Sequence, residues 1–72
     1  MFKRQRDDQI ILWEGACAYV VRTGECYEII VHSSNHVTHK PAGITEHADL
    51  AESTCRRLNA YPRQTRAAFG LI

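Results

Sequence analysis

Two segments in the first half of the chain, residues 16–21 and 26–31, have the side-chain pattern of β-strands. Both are rich in β-branched and aromatic residues, and apolar side chains recur at every second position. Gly24 lies between them and can adopt the positive φ that a tight turn requires. The pattern predicts a β-hairpin with Thr23 and Gly24 as its loop. This register pairs Arg22 with Glu25, Val21 with Cys26, Val20 with Tyr27 and Ala18 with Ile29.

The hairpin has two faces, because successive side chains of a strand point to opposite sides of the sheet. The first face is the predicted core. The second is also apolar, so we expect it to lie under the N-terminal run and the C-terminal tail or against another chain. Cys17 lies opposite Ile30 in this register, far from Cys26, which excludes a disulfide between the two cysteines. The first face carries Ala18, Val20, Tyr27, Ile29 and Val31, and the second carries Cys17, Tyr19, Val21, Cys26, Glu28 and Ile30.

Further strands are predicted on both sides of the hairpin. Residues 9–13 are strand-like, and Glu14 with Gly15 forms either a bulge in one long strand or a turn between two. Downstream, residues 33–35 are typical of a turn, and residues 36–39 fit a short edge strand. We expect residues 40–43, which include Pro41 and Gly43, to break that strand.

The second half of the chain predicts an amphipathic helix over residues 45–59. Thr45 is the expected N-cap, acidic residues fall in the first turn, and Arg56 and Arg57 fall in the last turn, as the helix dipole favours. Asn59 followed by Pro62 indicates the end of the helix. The apolar stripe that faces the sheet has a spacing of 4, 3, 4 and 3 and consists of Ile44, Ala48, Ala51, Cys55 and Leu58.

These elements define one small α+β domain, an antiparallel sheet of two to four strands packed against one α-helix. A chain of 72 residues holds only one hydrophobic core, so residues 1–72 form a single domain. We expect residues 1–8 to be a flexible tail. Residues 67–72 are apolar and fit either a last short strand or a docked tail.

Composition narrows the class of protein. Apolar residues make up 44% of the chain and charged residues 24%, as in globular domains. No run of apolar residues is long enough for a membrane helix or an export signal, so a cytoplasmic location without membrane contact is expected. Three irregularly spaced cysteines fit free thiols in a reducing compartment. We expect no cofactor.

Four histidines raise the question of a metal site. Structural zinc takes four converging ligands, usually in two closely spaced pairs. Only His32 with His36, or His36 with His39, has such spacing, and the cysteines supply no matching pair. We therefore predict no metal site, and we interpret the histidines, including His47, as solvated side chains of a loop and a helix start.

Catalysis is also not favoured by the sequence. A cysteine nucleophile requires a partner base, and Cys55 lies on the apolar stripe, where a thiol is inert. A toxin-type ribonuclease would combine His36 or His39 with Arg63 or Arg66. That alternative remains open, but glycine-rich phosphate loops and paired carboxylates are absent, and we predict no enzyme.

Basic residues form two clusters, one at residues 3–6 and one near the end of the chain. A nucleic-acid-binding regulator is therefore a second alternative. The net charge of +1 argues against it, because such proteins carry a strong positive footprint.

The remaining hypothesis is a non-enzymatic module that binds a protein partner. Trp13 and Tyr27 are expected to be buried, whereas Tyr19 belongs to the apolar second face. A homodimer is compatible with this face, because dimerisation stabilises small cores. The predicted partner-binding residues are Tyr19, Val21, Glu28, Ile30, Arg56 and Arg57.

In size and in its strand, strand, helix order over residues 10–58, the chain is similar to small phage-encoded inhibitors of host machinery. Examples are anti-CRISPR proteins and phage inhibitors of bacterial RNA polymerase. The resemblance is one of architecture and carries over no functional residue. It implies a protein that occludes a larger partner such as a CRISPR effector. Those inhibitors are often strongly acidic and this chain is not, which favours surface docking over mimicry of a nucleic acid.

Overall fold

The fold is known from a computed structural model, which describes residues 9–71. The tail predicted at residues 1–8 and the last residue lie outside this range. Four strands and two helices follow one another along the chain. They are β1 (Gln9–Leu12), β2 (Ala18–Thr23), β3 (Cys26–His32), β4 (His39–Thr45), α1 (Ala48–Ala60) and α2 (Pro62–Ala68).

The strands form one antiparallel sheet in the order β1-β2-β3-β4, so every strand pairs with its neighbour in the chain. Helix α1 packs on β2, β3 and β4, and α2 packs on α1 and β3. The predicted α+β class is confirmed, with a second helix that the sequence pattern did not indicate. None of the described helices is long and apolar enough to cross a membrane.

The β2–β3 hairpin has the predicted faces but a different register. Its loop is Gly24 and Glu25 rather than Thr23 and Gly24, and Gly24 has φ 62°. A positive φ at the first loop position suits glycine and disfavours the β-branched Thr23, which therefore stays in the strand. The shift is two residues, so each side chain keeps its face. Ala18 now lies opposite Val31, Tyr19 opposite Ile30, and Val20 opposite Ile29.

The strand predicted at residues 36–39 is wrong, because residues 33–38 form a loop and β4 begins at His39. The strand then runs through Pro41 and Gly43, which we expected to break it. An edge strand tolerates proline, especially beside a bulge. The pairing skips Ala42 between Gly43 opposite Ile29 and Pro41 opposite Ile30.

Helix α1 begins later than the sequence predicts. Thr45 is the last residue of β4 rather than the N-cap, and its hydroxyl accepts a hydrogen bond from the N–H of His47 at 3.1 Å. Ile44 is likewise in β4, with 68% of its surface exposed, so it is not part of the helical stripe. The rest of the stripe faces the sheet, with Ala51 and Cys55 buried.

The chain turns after α1 and forms a second short helix. Helix α1 ends at Ala60, close to the predicted stop, and Pro62 begins α2, where its missing N–H costs nothing. The alternative of a last strand is wrong, because Ala67 and Ala68 are helical. The docked tail is found instead, since Leu71 is only 5% exposed and belongs to the core.

The core lies between the sheet and the helices. Trp13 and Tyr27 are partly buried at its edge, with ring centroids 6.3 Å apart. The prediction that Cys17 belongs to the second face is wrong. Cys17 precedes β2 in a loop and is fully buried in the core. The buried core residues are Cys17, Ala18, Val20, Ile29, Val31, Ala51, Cys55 and Leu71.

The β1–β2 loop at residues 13–17 settles the question of a bulge or a turn. Trp13 has φ 50°, and the chain reverses so that β1 and β2 are antiparallel. Asn59 of α1 fixes this loop. Its side-chain oxygen accepts hydrogen bonds from the N–H groups of Cys17 and Ala18, both at 2.7 Å, and its amide donates to the Ala18 carbonyl at 3.0 Å. Residues 14 and 15 therefore lie in a turn between two strands.

Candidate functional site

The sheet has one face without helices, on the side opposite α1 and α2. Within residues 9–71, no helix packs on this side of the sheet. Val21 and His32 are each only 4% exposed there, Tyr19 and Ile30 are half-buried, and Ile44 is exposed. We call this surface the helix-free face, and by strand register it includes Ile11, Tyr19, Val21, Thr23, Cys26, Glu28, Ile30, His32, His39, Pro41 and Ile44.

The N-terminal run and the C-terminal tail, which we expected to cover this face, lie elsewhere in the described chain. Residues 9–12 form β1 and widen the sheet rather than cover it, and Leu71 docks in the core on the helix side. The predicted partner-binding residues divide between two surfaces. Four of them share the helix-free face, whereas Arg56 and Arg57 lie on α1 in the opposite layer. Arg56 forms an ion pair with Glu52 one turn earlier.

One end of the helix-free face carries a cluster of aromatic rings. His32 ends β3 and His39 begins β4, and the two residues are cross-strand neighbours. The His32 ring stacks on His36 from the β3–β4 loop, with centroids 4.2 Å apart, and lies 5.9 Å from the His39 ring. Tyr19 of β2 completes the group, 6.1 Å from His32 and 5.9 Å from His39. We call Tyr19, His32, His36 and His39 the histidine–tyrosine cluster.

Hydrogen bonds to carbonyl groups determine the tautomers of two histidines, because a carbonyl oxygen can only accept. Nδ1–H of His32 donates to the Ser33 carbonyl at 2.8 Å, so Nε2 is the acceptor nitrogen of its neutral ring. Nε2–H of His39 donates to the His36 carbonyl at 3.0 Å. Nδ1 of the neutral His39 ring therefore accepts the hydroxyl proton of Tyr19, whose Oη lies 3.0 Å away. The hydroxyl oxygen and His32 Nε2 keep lone pairs.

The β3–β4 loop holds His36 in place through its own hydrogen bonds. The N–H of Ser33 donates to the Thr38 carbonyl at 2.9 Å, and the N–H of Thr38 donates to the Ser33 hydroxyl at 3.1 Å. That hydroxyl donates to the side-chain oxygen of Asn35 at 2.6 Å. His36 has φ 63°, an uncommon conformation outside glycine. The ring stack is therefore built on an ordered loop.

Burial and charge shift two of these groups away from ionisation. Burial raises the pKa of the Tyr19 hydroxyl, and the Glu28 and Glu14 carboxylates raise it further. Burial lowers the pKa of His32. The hydrogen bond to Ser33 opposes that shift, whereas repulsion from Arg66 and from His36 and His39 in their charged forms adds to it. Both groups therefore favour their neutral forms near pH 7.

A pocket of about 140 Å³ opens beside the cluster. It lies between the β1–β2 and β3–β4 loops, which are at the same end of the sheet. Its lining carries one carboxylate and no lysine or arginine. The lining residues are Ile11, Glu14, Gly15, Tyr19, His32, His36 and His39.

The structure corrects the interpretation of the histidines as uniformly solvated side chains. His32 is buried, whereas His36 and His47 are exposed. Sequence spacing brought attention to His32, His36 and His39 but gave no reason to add Tyr19, which comes from another strand. Within residues 9–71, no three His, Cys, Asp or Glu residues are arranged to hold a metal ion.

The arginines of the ribonuclease hypothesis do not face the cluster as substrate ligands would. Arg66 donates from Nη2 to the Ala16 carbonyl at 2.8 Å and from Nε to the His32 carbonyl at 3.3 Å, so its guanidinium joins the backbone of two loops. Arg63 lies on α2, in the layer on the other side of the sheet.

The cysteines take part in packing rather than in this pocket. The thiol of Cys17 donates to the Leu58 carbonyl at 3.3 Å, and the thiol of Cys55 donates to the Trp13 carbonyl at 3.0 Å. Burial is the largest cause that raises the pKa of both thiols, which keeps them protonated and poorly nucleophilic. All three cysteines are free.

The chain is thus a small α+β protein with helices on one side of its sheet and a histidine–tyrosine pocket on the other. In comparisons with known proteins, no protein-family model, curated protein or solved structure matches it.

Proposed function

We propose that this chain is a non-enzymatic protein-binding module that docks through its helix-free face and occludes part of a larger partner. The observation that carries this proposal is the apolar surface of that face. Ile44 is 68% exposed, Pro41 lies beside it on the same edge strand, and Ile30 and Tyr19 are half-buried. Protein interfaces are built around apolar and aromatic side chains of this kind.

Charge narrows the partner that fits. Glu28 lies on the helix-free face and Glu14 lies at its margin in the pocket, whereas no lysine or arginine among the described residues belongs to the face or the pocket lining. Lys40 pairs with Val31 toward the helix side and donates to the Phe69 carbonyl at 3.0 Å. A protein segment with apolar residues and a basic residue is therefore the complementary partner.

Occlusion is the mode of action that the architectural resemblance to phage-encoded inhibitors implies. The exposed sheet face of this small module suits contact with a flat surface of a larger partner. That the partner is host machinery remains a prediction. A second copy of the chain, bound through the same face as a homodimer, is the competing prediction.

A second candidate function, nucleic-acid binding, is favoured by one observation on the helix side. Residues 53–71 contain four arginines and no acidic residue. Arg66 is bound to two carbonyls and Arg56 is paired with Glu52, so few guanidinium groups are left for phosphate. Affinity for labelled DNA or RNA that falls steeply between 50 and 200 mM salt, roughly the range used for such tests, would support this candidate.

The docking proposal is tested by selecting peptides from a randomised display library on the immobilised chain. We expect enriched peptides to combine apolar residues with arginine or lysine. Ile44→Ser removes an exposed apolar side chain from the helix-free face and should weaken binding of a selected peptide by about tenfold. Leu50→Ser is the matched control, because Leu50 is 50% exposed on α1 in the opposite layer.

Two results would overturn the proposal. One is a selection that enriches no sequence. The other is a selected peptide whose affinity is unchanged in Ile44→Ser or is lowered as much in Leu50→Ser. Gel filtration of the unmodified chain at several concentrations shows whether a second copy already occupies the face, in which case the homodimer replaces the docking proposal.

A further inference from the structure

The pocket beside the histidine–tyrosine cluster is rich in hydrogen-bond acceptors. Glu14 contributes a carboxylate from the β1–β2 loop. The Tyr19 hydroxyl donates a hydrogen bond to His39, and the Nδ1–H of His32 donates one to a backbone carbonyl. The Tyr19 hydroxyl oxygen and the Nε2 atom of neutral His32 thus each keep a lone pair. Both residues line the pocket together with the Glu14 carboxylate.

Two carboxylates influence the Tyr19 side of the pocket. Glu28 and Glu14 both act on the Tyr19 hydroxyl. The opposing charge is Arg66, which approaches His32 from the helix side and is held by two backbone carbonyls. A cation that enters the pocket therefore meets the Glu14 carboxylate in its lining, and Glu28 lies on the same helix-free face.

The pocket is also preorganised. The β1–β2 loop is fixed to α1 by Asn59, and a Cβ atom on Gly15 would collide with the Asn59 side chain. Ile11 supplies an apolar wall, and the rings of Tyr19 and His36 offer flat surfaces. A planar cation on an aliphatic stem suits such a site, because guanidinium stacks on rings and donates to carboxylate at the same time.

We propose that this pocket binds the guanidinium group of an arginine side chain presented by the docking partner, and that protonation of His32 releases it. This inference rests on the proposed function and names the recognition chemistry of the same face. A positive charge on His32 removes its acceptor and repels the guanidinium. The charged groups around His32 are His36 and His39 from β4 and its loop, Arg66 from α2, and the Glu14 and Glu28 carboxylates around Tyr19.

The test is an NMR titration of the isotope-labelled chain with Nα-acetyl-arginine amide at pH 7.5. Nα-acetyl-citrulline amide is the neutral isostere. We expect the arginine compound, but not the citrulline compound, to shift the amide signals of Gly15, Tyr19 and His32. We expect its affinity to fall at least about fivefold as the pH is lowered from 7.5 through the pKa of His32, which burial holds below the ordinary histidine value of about 6.5.

Two variants locate the site. Glu14→Gln removes the carboxylate of the pocket and should lower the affinity for the arginine compound about two- to fivefold, the range of an exposed ion pair. Glu25→Gln removes an exposed carboxylate from the β2–β3 turn, at the opposite end of the sheet, and should leave the affinity unchanged.

Equal shifts with citrulline, an affinity that does not change with pH, or an affinity unaffected by Glu14→Gln would overturn the inference. These outcomes are separate from the peptide selection, which depends on Ile44. Selected peptides without arginine that still require Ile44 would support docking and reject the arginine pocket.

Discussion

At the scale of single residues, Asn59 has the largest structural role that the sequence did not reveal. Its side chain makes three hydrogen bonds to the backbone of Cys17 and Ala18, where the β1–β2 loop enters β2, and donates to the Cys55 sulfur at 3.4 Å. From the sequence, Asn59 is only a helix-stop residue. The structure shows that it joins the C-terminal end of α1 to the loop that carries Glu14.

Asn59→Ala should lower the free energy of unfolding by about 2–3 kcal/mol, because the N–H groups of Cys17 and Ala18 lose their acceptor in a largely buried place. Gly15→Ala should also destabilise, since its new methyl group collides with Asn59. In the double variant that collision is gone, so the two losses should be less than additive. Urea unfolding at low temperature measures the free energy of unfolding of the two single variants and the double variant.

Gln64→Ala is the control for this cycle, because Gln64 is an exposed amide on α2, and its stability should match that of the unmodified chain. Strict additivity of the Gly15 and Asn59 losses would show that the two side chains do not meet.

His32 should make stability depend on pH. Burial is the main cause that lowers its pKa in the folded state, so the unfolded chain binds the proton more tightly. The contribution to stability is complete above the ordinary histidine pKa of about 6.5 and is lost as the pH falls from there through the lower folded value. Urea midpoints between pH 8 and pH 5 measure the slope.

His32→Gln should flatten that slope, whereas His47→Gln, at an exposed position before α1, should leave it unchanged. A slope that persists in His32→Gln would assign the effect to other groups.

At the scale of elements, the β2–β3 turn shows how one residue sets the pairing of two strands. Gly24 has φ 62°, and a Cβ atom added there would have nothing within 4 Å. The cost of a side chain is therefore conformational and not steric. Because the loop begins at Gly24, the register is two residues away from the alternative that begins at Thr23, and the faces are the same in both.

Gly24→Ala should lower the free energy of unfolding by about 1 kcal/mol, because alanine is strained at positive φ. Gly43→Ala in β4 is the control, since a Cβ atom there would meet only Ile29 at an ordinary 4.0 Å and should change stability little. Thermal unfolding measures the melting temperature of both variants, and we expect only Gly24→Ala to lower it. An unchanged melting temperature in Gly24→Ala would contradict the turn geometry.

At the scale of the whole molecule, the two layers differ in charge. The helix layer, residues 48–71, carries four arginines against two acidic residues, Asp49 and Glu52 of α1. Within residues 9–71, the helix-free face and its pocket carry Glu28 and Glu14 and no basic residue other than histidine. The two sides of the sheet therefore carry different surfaces, and the proposed docking and the nucleic-acid alternative can be tested with variants on separate surfaces.

The sequence determined those features that depend on near neighbours. Alternation assigned Tyr19, Val21, Glu28 and Ile30 to one face, because side chains in a strand alternate whatever the register. The stop after Asn59 was found because Pro62 cannot continue a helix. The boundary between β4 and α1 was misplaced, since the 4-3-4-3 spacing continues back to Ile44 although that residue pairs with Glu28.

Only the tertiary structure decided the candidate site. Tyr19, His32 and His39 come from three strands, and Glu14 and His36 come from two loops at the same end of the sheet. Their proximity follows from the strand order and from the bulge at Ala42, which are set by the packing of distant segments. Periodicity is local and encodes which side of a strand faces the core. A pocket built from four strands and two loops depends on contacts between segments that no local pattern contains.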